Sequence, residues 1–455
     1  MKKQTSLMML LFVFSLIFWG CSDSSNPVDE TNFQRVDKQA RQIPPVSVAD
    51  APVDDGIRLE KPGVTVPPTL AAVQNVVVDD DGGADFTTIQ DAVNSGAKKI
   101  TVRSGAYAEN VVIGPGAKVT IIGAEVGLTL VSGVAGTAGP IMDVLAGSDV
   151  NISDLTVDGG SAMSGGVVTG IRYNEAHGRV KNVAVLNIRD ASGGAQGIGI
   201  RVQSTGPKAK VFVEKCEVSN YTRVGINGNG VGVNLTVKDC DIGGPLLPRV
   251  WAPNGIQVSR GAMGNIRGND VDNNPSPNPP GGAGSGIILF CAGTTNVQNN
   301  KVTRADLGIA IADNANAKVH NNEIIDSSFD GISLQFIGLL FGDIGCGVTL
   351  TENNLIKNNK ISGSSDTGIS FANFDPTTAA NTPNNNRLLI NTIDDSGVDG
   401  IHVFDGEGNL IQNNEMTNSG STDSVDDTVG GGTAGTANTW KNNICSSSSP
   451  AGLCN

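Results

Sequence analysis

The sequence predicts an all-β chain wound as a parallel β-helix of about eleven to twelve coils, and three observations carry that expectation. First, the stretch from Val297 to Val302 is written again at Val319 to Ile324, Ile356 to Ile361 and Ile411 to Met416. Aligned on their apolar ends, these copies place Asn in one column at Asn269, Asn300, Asn322, Asn359, Asn391, Asn414 and Asn442, with successive members 22 to 37 residues apart. Second, a Gly-Ile pair runs in step with it, at Ile171, Ile198, Ile226, Ile256, Ile287, Ile309, Ile332, Ile369 and Ile401. Third, the residues around both motifs alternate apolar and polar, as in Gly308 to Ala312, and no segment between them carries a helical stripe.

Each repeat must therefore close on itself through turns, and coils stacked at the ~4.8 Å strand spacing turn one column into a line of side chains along the axis. A stacked Asn can donate its amide to the Asn of the next coil, which satisfies a buried polar group at a turn. Earlier copies put Leu155, Val183, Cys216 and Cys240 in the column, where packing alone can hold them. Low aromatic content (4%), 17% charged residues and 59 Gly suit short strands and tight turns. A net charge of −14 and the lack of any basic stripe along the sequence argue against nucleic acid.

Residues 1–20 read as a secretion signal, with Lys2 and Lys3 ahead of an apolar run from Leu7 to Trp19 that is too short for a membrane span. The run ends Phe18-Trp19-Gly20-Cys21, which resembles a bacterial lipoprotein box, with Phe18 where Leu is commonest. That resemblance implies lipidation at Cys21, attachment to the cell envelope at the outer membrane or cell surface, and membrane contact through the lipid alone. Residues 21–75 are rich in Pro, Asp, Ser and Val without periodicity and read as a flexible tether, leaving 76–455 as the folded part.

The folded part opens with Asn75 to Asp79, and then Thr87 or Thr88 caps a short helix in which Ile89, Ala92 and Val93 share a face. An open β-helix end exposes core and unpaired strand edges, so this helix is the expected lid. Gly83 to Val93 followed by Gly105-Ala106-Tyr107-Ala108-Glu109 resembles the opening of right-handed β-helix proteins of the pectin-lyase-like superfamily, and the later repeats resemble its parallel β-helix repeat proteins. The resemblance covers roughly residues 76 to 455 and implies a right-handed, single-stranded helix with three strands per coil, in a superfamily dominated by enzymes of acidic polysaccharides. Its catalytic motifs are missing. The chain has no counterpart of the Gln-Asp-Thr-Leu and Asp-Phe-Ile-Phe-Gly segments of pectin methylesterases, the ordered polygalacturonase set, the Arg-x-Pro-x-x-Arg of pectate lyases or the Asp-Pro-His-Asp of alginate epimerases. No catalytic residue is carried over.

Four connections are expanded, Gly243 to Asn254 and Asp272 to Ser285 before the Gly-Ile strand, Gln335 to Thr349 and Asn373 to Arg387 after it. After a Gly-, Ser- and Thr-rich stretch, Thr439 to Ile444 adds a last partial coil and Cys445 to Cys454 closes it. With Cys21 set aside, six Cys permit three disulfides. Cys445 pairs with Cys454 in the tail and Cys291 with Cys346, while Cys216 and Cys240 are either bonded or stacked as thiols.

Residues after the inward Ile point outward. Down the coils these are Arg172, Gly199, Asn227, Gln257, Ile288, Ala310, Ser333, Ser370 and His402, with Asn174, Arg201, Asn229, Ser259, Phe290, Ala312, Gln335, Ala372 and Phe404 two places on. The early coils thus display a polar strip suited to an extended acidic sugar chain, with Asn174, Asn227, Asn229 and Gln257 for hydroxyls, Arg249 and Trp251 on the adjoining loop, and Arg for carboxylates. For eliminative cleavage Arg172, Arg201 or Arg260 would neutralise the uronate, and His177 is a candidate base. Hydrolysis needs two carboxylates ~5 to 9.5 Å apart, for which Asp399 with Asp405 or Asp330 with Asp399 qualify. Two functions follow: a lipid-anchored polysaccharide enzyme of lyase type, or a non-catalytic binding or adhesion module. The chain is expected to be a monomer. No metal site is written in the sequence; Ca2+ is compatible but no motif indicates it, and no other cofactor is indicated.

Overall fold

The computed structural model describes residues 74–134, 136–137, 139–160, 168–189, 197–245, 252–276, 283–314, 316–336, 350–373 and 382–454. Each coil carries three short strands, as in Thr295–Gln298, Lys301–Ala305 and Leu307–Ala312. The third strands stack into a 13-stranded parallel sheet running from Val111–Ile113 to Ser448–Ser449, and the first and second strands together form a 24-stranded parallel sheet. Thirteen third strands exceed the eleven to twelve coils expected from the motifs. The first two, Val111–Ile113 and Pro140–Val144, carry no Gly-Ile pair, so the sequence does not announce them. The core is the bore of the helix, filled by Val, Ile and Leu from all three faces.

The Asn column is a buried hydrogen-bonded ladder at the turn between first and second strands. Asn322 donates its amide to Val297 O (3.0 Å) and to Asn359 Oδ1 (2.9 Å), while its own Oδ1 accepts from the backbone N–H (3.0 Å) and amide (2.9 Å) of Asn300. The same bonds link Asn269, Asn300, Asn359, Asn391 and Asn414. The last member is Asn443, not Asn442: Asn414 donates to Asn443 Oδ1 at 3.1 Å. Asn442 takes the place before it, where φ is positive (53°), as it is at Asn299, Asn321, Asn358 and Asn413. The Asn-Asn pair thus combines a residue that tolerates left-handed backbone with one that fills the ladder. Above the Asn residues the line continues through sulfur, since Cys216 N–H faces Cys240 Sγ at 3.5 Å and Cys240 N–H donates to Asn269 Oδ1 at 3.0 Å. Both thiols are free, which resolves the open choice between bond and stack. A second ladder, Asn354, Asn386, Asn409 and Asn438, holds the turn into the first strand of the later coils.

The glycine of Gly-Ile is a packing requirement. A Cβ on Gly331 would lie 2.3 Å from Ile361 Cγ2 and 2.7 Å from Gly368 O, a carbonyl fixed in the neighbouring strand. We expect Gly331→Ala to destabilise by about 2–3 kcal/mol through overpacking, visible as a lower denaturation midpoint; an unchanged midpoint would show that the third strands can separate at no cost.

The lid forms as expected. Helix Ile89–Asn94 is capped by Thr88, whose hydroxyl accepts from Asp91 N–H at 3.1 Å, and Glu109 takes the N–H groups of Ile89 (2.7 Å) and Gln90 (2.8 Å). The Gln90 side chain bonds both N–H and C=O of Val112, covering the edge of the first third strand as a missing coil would. At the other end Cys445 and Cys454 are bonded, with Cα atoms 5.5 Å apart. Cys291 is disulfide-bonded, and its expected partner Cys346 lies outside the described residues, as do Cys21, the signal and nearly all of the tether.

Candidate functional site

The outward face of the 13-stranded sheet holds the polar groups that the sequence singles out, in a register that differs in one coil. Arg201 lies directly beside Arg172 on one side and Asn227 on the other, and Gln203 lies between Asn174 and Asn229. The aligned pair in this strand is therefore Gly199-Ile200, not Gly197-Ile198, so Arg201 moves two places from its expected row and Gly199 turns into the glycine row. Gly199 stands in line with the other glycines, since a Cβ there would lie 2.6 Å from Gly225 O just as one on Gly170 would lie 2.6 Å from Gly199 O.

In the early coils Arg172 grips Asp143 with two bonds, Nε to Oδ1 at 2.9 Å and Nη2 to Oδ2 at 2.7 Å. Arg201 is 4% exposed, and Asn227 and Gln257 are buried beside it. Asn254 donates to Gln257 Oε1 (3.1 Å), which holds the glutamine in the plane of the face. The accessible line is Asn174, Gln203 and Asn229, each half-buried, with Gln203 donating to Asn174 Oδ1 at 3.1 Å. His177 does not join them. It opens the next first strand, pairs there with Asp149, and accepts Lys210 N–H at Nδ1 (3.1 Å). Arg260 sits at the turn after the third strand, in left-handed backbone (φ 54°). Arg172, Arg201, His177 and Arg260 are thus spread over two faces and a turn, while Arg249 and Trp251 lie outside the described residues.

The middle coils carry Ile288, Phe290, Ala310 and Ala312, all buried although they point away from the bore.

The later coils hold a titratable group that the sequence reading only touched. His402 Nδ1 lies 2.9 Å from Asp399 Oδ2 and its Nε2 lies 3.2 Å from Asp427 Oδ2, while its ring stacks on Phe404 at 3.5 Å. Both ring nitrogens are satisfied when the imidazole carries both protons. One coil earlier Ser370 donates to Asp330 Oδ2 at 2.5 Å, Ser333 bonds Ser370 at 2.8 Å, and Gln335 donates to Ser333 at 2.8 Å. Burial, with the Asp366 charge adding to it, pushes the Asp330 carboxyl up to about 7. Burial and then the Asp399 charge raise Asp366, which is half-buried between them. Asp405 is raised by burial, partly offset by the Asn373 backbone, with Asp427 adding to the rise. Asp330 and Asp399 hold equivalent places two coils apart, separated by Thr367, hence roughly 9.6 Å along the axis. Asp366, His402 and Asp427 were not paired with them from sequence. Asp366 is hidden in a turn between motifs, and Asp427 belongs to a coil without Gly-Ile.

Among the described residues the group able to hold a metal is Asp79, Asp80 and Asp81, but Asp79 pairs with Arg103 (2.7 Å) and Asp80 accepts the N–H of Ala106 (2.8 Å), so structural bonds occupy two of the three.

A family model described as a right handed beta helix region matches residues 169–336. No curated protein matches the chain. Among solved structures the chain is similar to the A-module of the mannuronan C-5 epimerase AlgE4 of Azotobacter vinelandii, with 18% identity over 74% of this chain and 99% of that one and a TM-score of 0.49. It is also similar to the Dettilon tailspike protein (15% identity, 78% of this chain and 63% of that one, TM-score 0.48) and to the periplasmic alginate epimerase AlgG (13%, 76% of each chain, TM-score 0.45). The right-handed parallel β-helix is the common element.

Proposed function

We propose that the chain binds polysaccharide along the outward face of the 13-stranded sheet and cleaves it by acid–base chemistry at Asp366, Asp399, His402 and Asp427. The observation that carries this reading is the bridge of His402 between Asp399 and Asp427, beside Asp366, a half-buried carboxyl raised by burial and then by the Asp399 charge. In hydrolysis Asp427, whose side chain is half exposed, takes a proton from water. The water oxygen bonds to the anomeric carbon, the glycosidic C–O bond breaks, and Asp366 gives its proton to the leaving oxygen. His402 positions Asp427 while Asp399 orients the ring. Asn174, Gln203 and Asn229 would hold hydroxyls further along the same face. An eliminative centre built from Arg172, Arg201, Arg260 and His177 is not favoured, because those groups do not converge. Lipidation at Cys21 would keep this face outside the membrane, in an oxidising compartment where the Cys445–Cys454 bond persists.

The purified protein is expected to release reducing ends from at least one member of a panel of acidic and neutral polysaccharides. Asp366→Asn and Asp427→Asn should each lower that rate by about 10²–10⁴ without changing the fold. Products that absorb in the ultraviolet as unsaturated uronates, with both variants fully active, would overturn the assignment. The non-catalytic reading is favoured by one observation, the burial of His402 (8% exposed) and Asp330 (6%); binding without any product from the parent protein would select it.

A further inference from the structure

The protein is acidic overall, with a net charge of −14, yet one of its faces is not. The outward side chains of the first strands form two lines in register. One runs Lys181, Glu214, Lys238, Arg267, Gln298, His320, Lys357. The other, two residues earlier in each strand, runs Arg179, Phe212, Thr236, Asn265, Asn296, Lys318. Six of these positions are Lys or Arg and one is a carboxylate. No such stripe is visible in the sequence, because winding brings together cations that lie a full coil apart in the chain.

Around the Asn turn the early coils reverse sign: the second strands line up Glu217, Asp241 and Asp270, after which the line alternates through Lys301, Glu323 and Lys360. In the early coils charge is therefore sorted by face, with cations prevailing on the first strands and carboxylates on the second.

Among the described residues the ion pairs on the cationic face are Arg179 with Glu214 at 3.7 Å and Lys238 with its neighbour Asp239 at 3.0 Å. Lys181, Lys318 and Lys357 are exposed. The field they leave is felt locally: His320 is held below its usual range by burial first and then by Lys318 and Lys357. Arg179 and Lys210 both reach over the Phe212 ring, with their charged groups 5.6 and 5.1 Å from its centre, which puts an aromatic ring inside the cationic field.

We infer that this first-strand face is a second binding surface, separate from the site on the 13-stranded sheet, and that its ligand is a single extended polyanionic glycan lying along the helix axis. The geometry selects the ligand. Seven coils at ~4.8 Å extend the face for roughly 29 Å, while first strands that shorten from six residues at Ala209–Glu214 to three at Lys318–His320 make it only about 10–20 Å across. A single charged chain fits that width. A duplex would overhang onto the second-strand face of the early coils, where Glu217, Asp241 and Asp270 repel it. Regularly spaced carboxylates or sulfates along the chain would meet cations on successive coils, with Phe212 under a sugar ring.

The test uses the purified chain with a polyuronate oligomer, a neutral glucan of equal length and duplex DNA, at two salt concentrations. The parent should bind the polyuronate and lose affinity as salt rises, with little binding of the glucan and weaker binding of the duplex. Lys238→Glu combined with Lys357→Glu should weaken polyuronate binding tenfold or more, ~1.4 kcal/mol, with an unchanged thermal midpoint; Arg267→Gln should give a smaller loss in the same direction. The affinity loss is read without turnover, and the charge-reversed variant, altered outside the catalytic groups, should keep whatever reducing-end release the parent shows, which separates this surface from the catalytic proposal. Parental binding by the charge-reversed variant, or duplex bound as tightly as polyuronate at the same salt, would overturn the inference.

Discussion

Asn322→Leu is expected to lower stability by about 3–5 kcal/mol, through the turn that the asparagine ladder holds. The leucine removes donors to Val297 O and Asn359 Oδ1 and the acceptor of both N–H groups of Asn300. Two buried donors on Asn300 then have no partner, and each orphan costs about 1–3 kcal/mol. The added apolar contact offsets part of this. Chemical denaturation followed by circular dichroism measures the result; a variant as stable as the parent would mean the ladder amides reach water and the satisfied stack is not what holds the turn.

The second large effect is a pH dependence removed by Asp330→Asn. The Asp330 carboxyl is raised from an ordinary carboxylate value to about 7, so between these values the folded state binds a proton that the unfolded state has released. Its contribution is fully present below about pH 4 and is lost as pH rises through about 7. The loss is on the order of 4 kcal/mol, three pH units at 1.36 kcal/mol each. Asp366, raised in the same sense, steepens the fall. The asparagine keeps an acceptor for Ser370 and carries no charge, so the variant should match the parent near pH 4 and exceed it at pH 8. Denaturation curves for the two proteins that stay parallel across that range would show that Asp330 is ionised throughout.

The fold was legible because its decisive contacts repeat. Each Asn-Asn pair and each Gly-Ile pair reports a local constraint, left-handed backbone followed by a ladder amide, or a glycine under a neighbour's carbonyl, and the chain restates it coil after coil. The second ladder was equally written, as an Asn five residues before each of Asn359, Asn391, Asn414 and Asn443, but it occurs in only four coils and passes for turn composition. Slips came where the repeat is ambiguous. Gly197-Ile198-Gly199-Ile200 offers two registers, and both glycines lie under backbone carbonyls, Gly197 under Ile188 O and Gly199 under Gly225 O, so the need for glycine does not decide between them.

The sites were less legible for a different reason. Outward side chains are not tied to the repeat, so their neighbours follow from register alone. An error of two residues separated Arg201 from Arg172, which in fact pair across strands. Burial also reversed an expectation, since Arg201 and Gln257 point away from the bore yet are inaccessible. Polar composition marked the right sheet without saying which of its groups remain open or which carboxylates share one histidine.

The ladder also bears on how such a molecule can lengthen over evolutionary time. Between Asn269 and Asn443 every rung gives the same two amide bonds and accepts the same two, so a rung does not distinguish one asparagine neighbour from another. A duplicated coil inserted there would inherit its partners at once, and the growing chain would meet no new packing problem at that corner. The joint between Cys240 and Asn269 is different, because there the donor is a lone backbone N–H and a thiol replaces the amide. An inserted coil should therefore be tolerated in the asparagine half and resisted at the sulfur boundary, where the incoming rung would find no matching pair of donors.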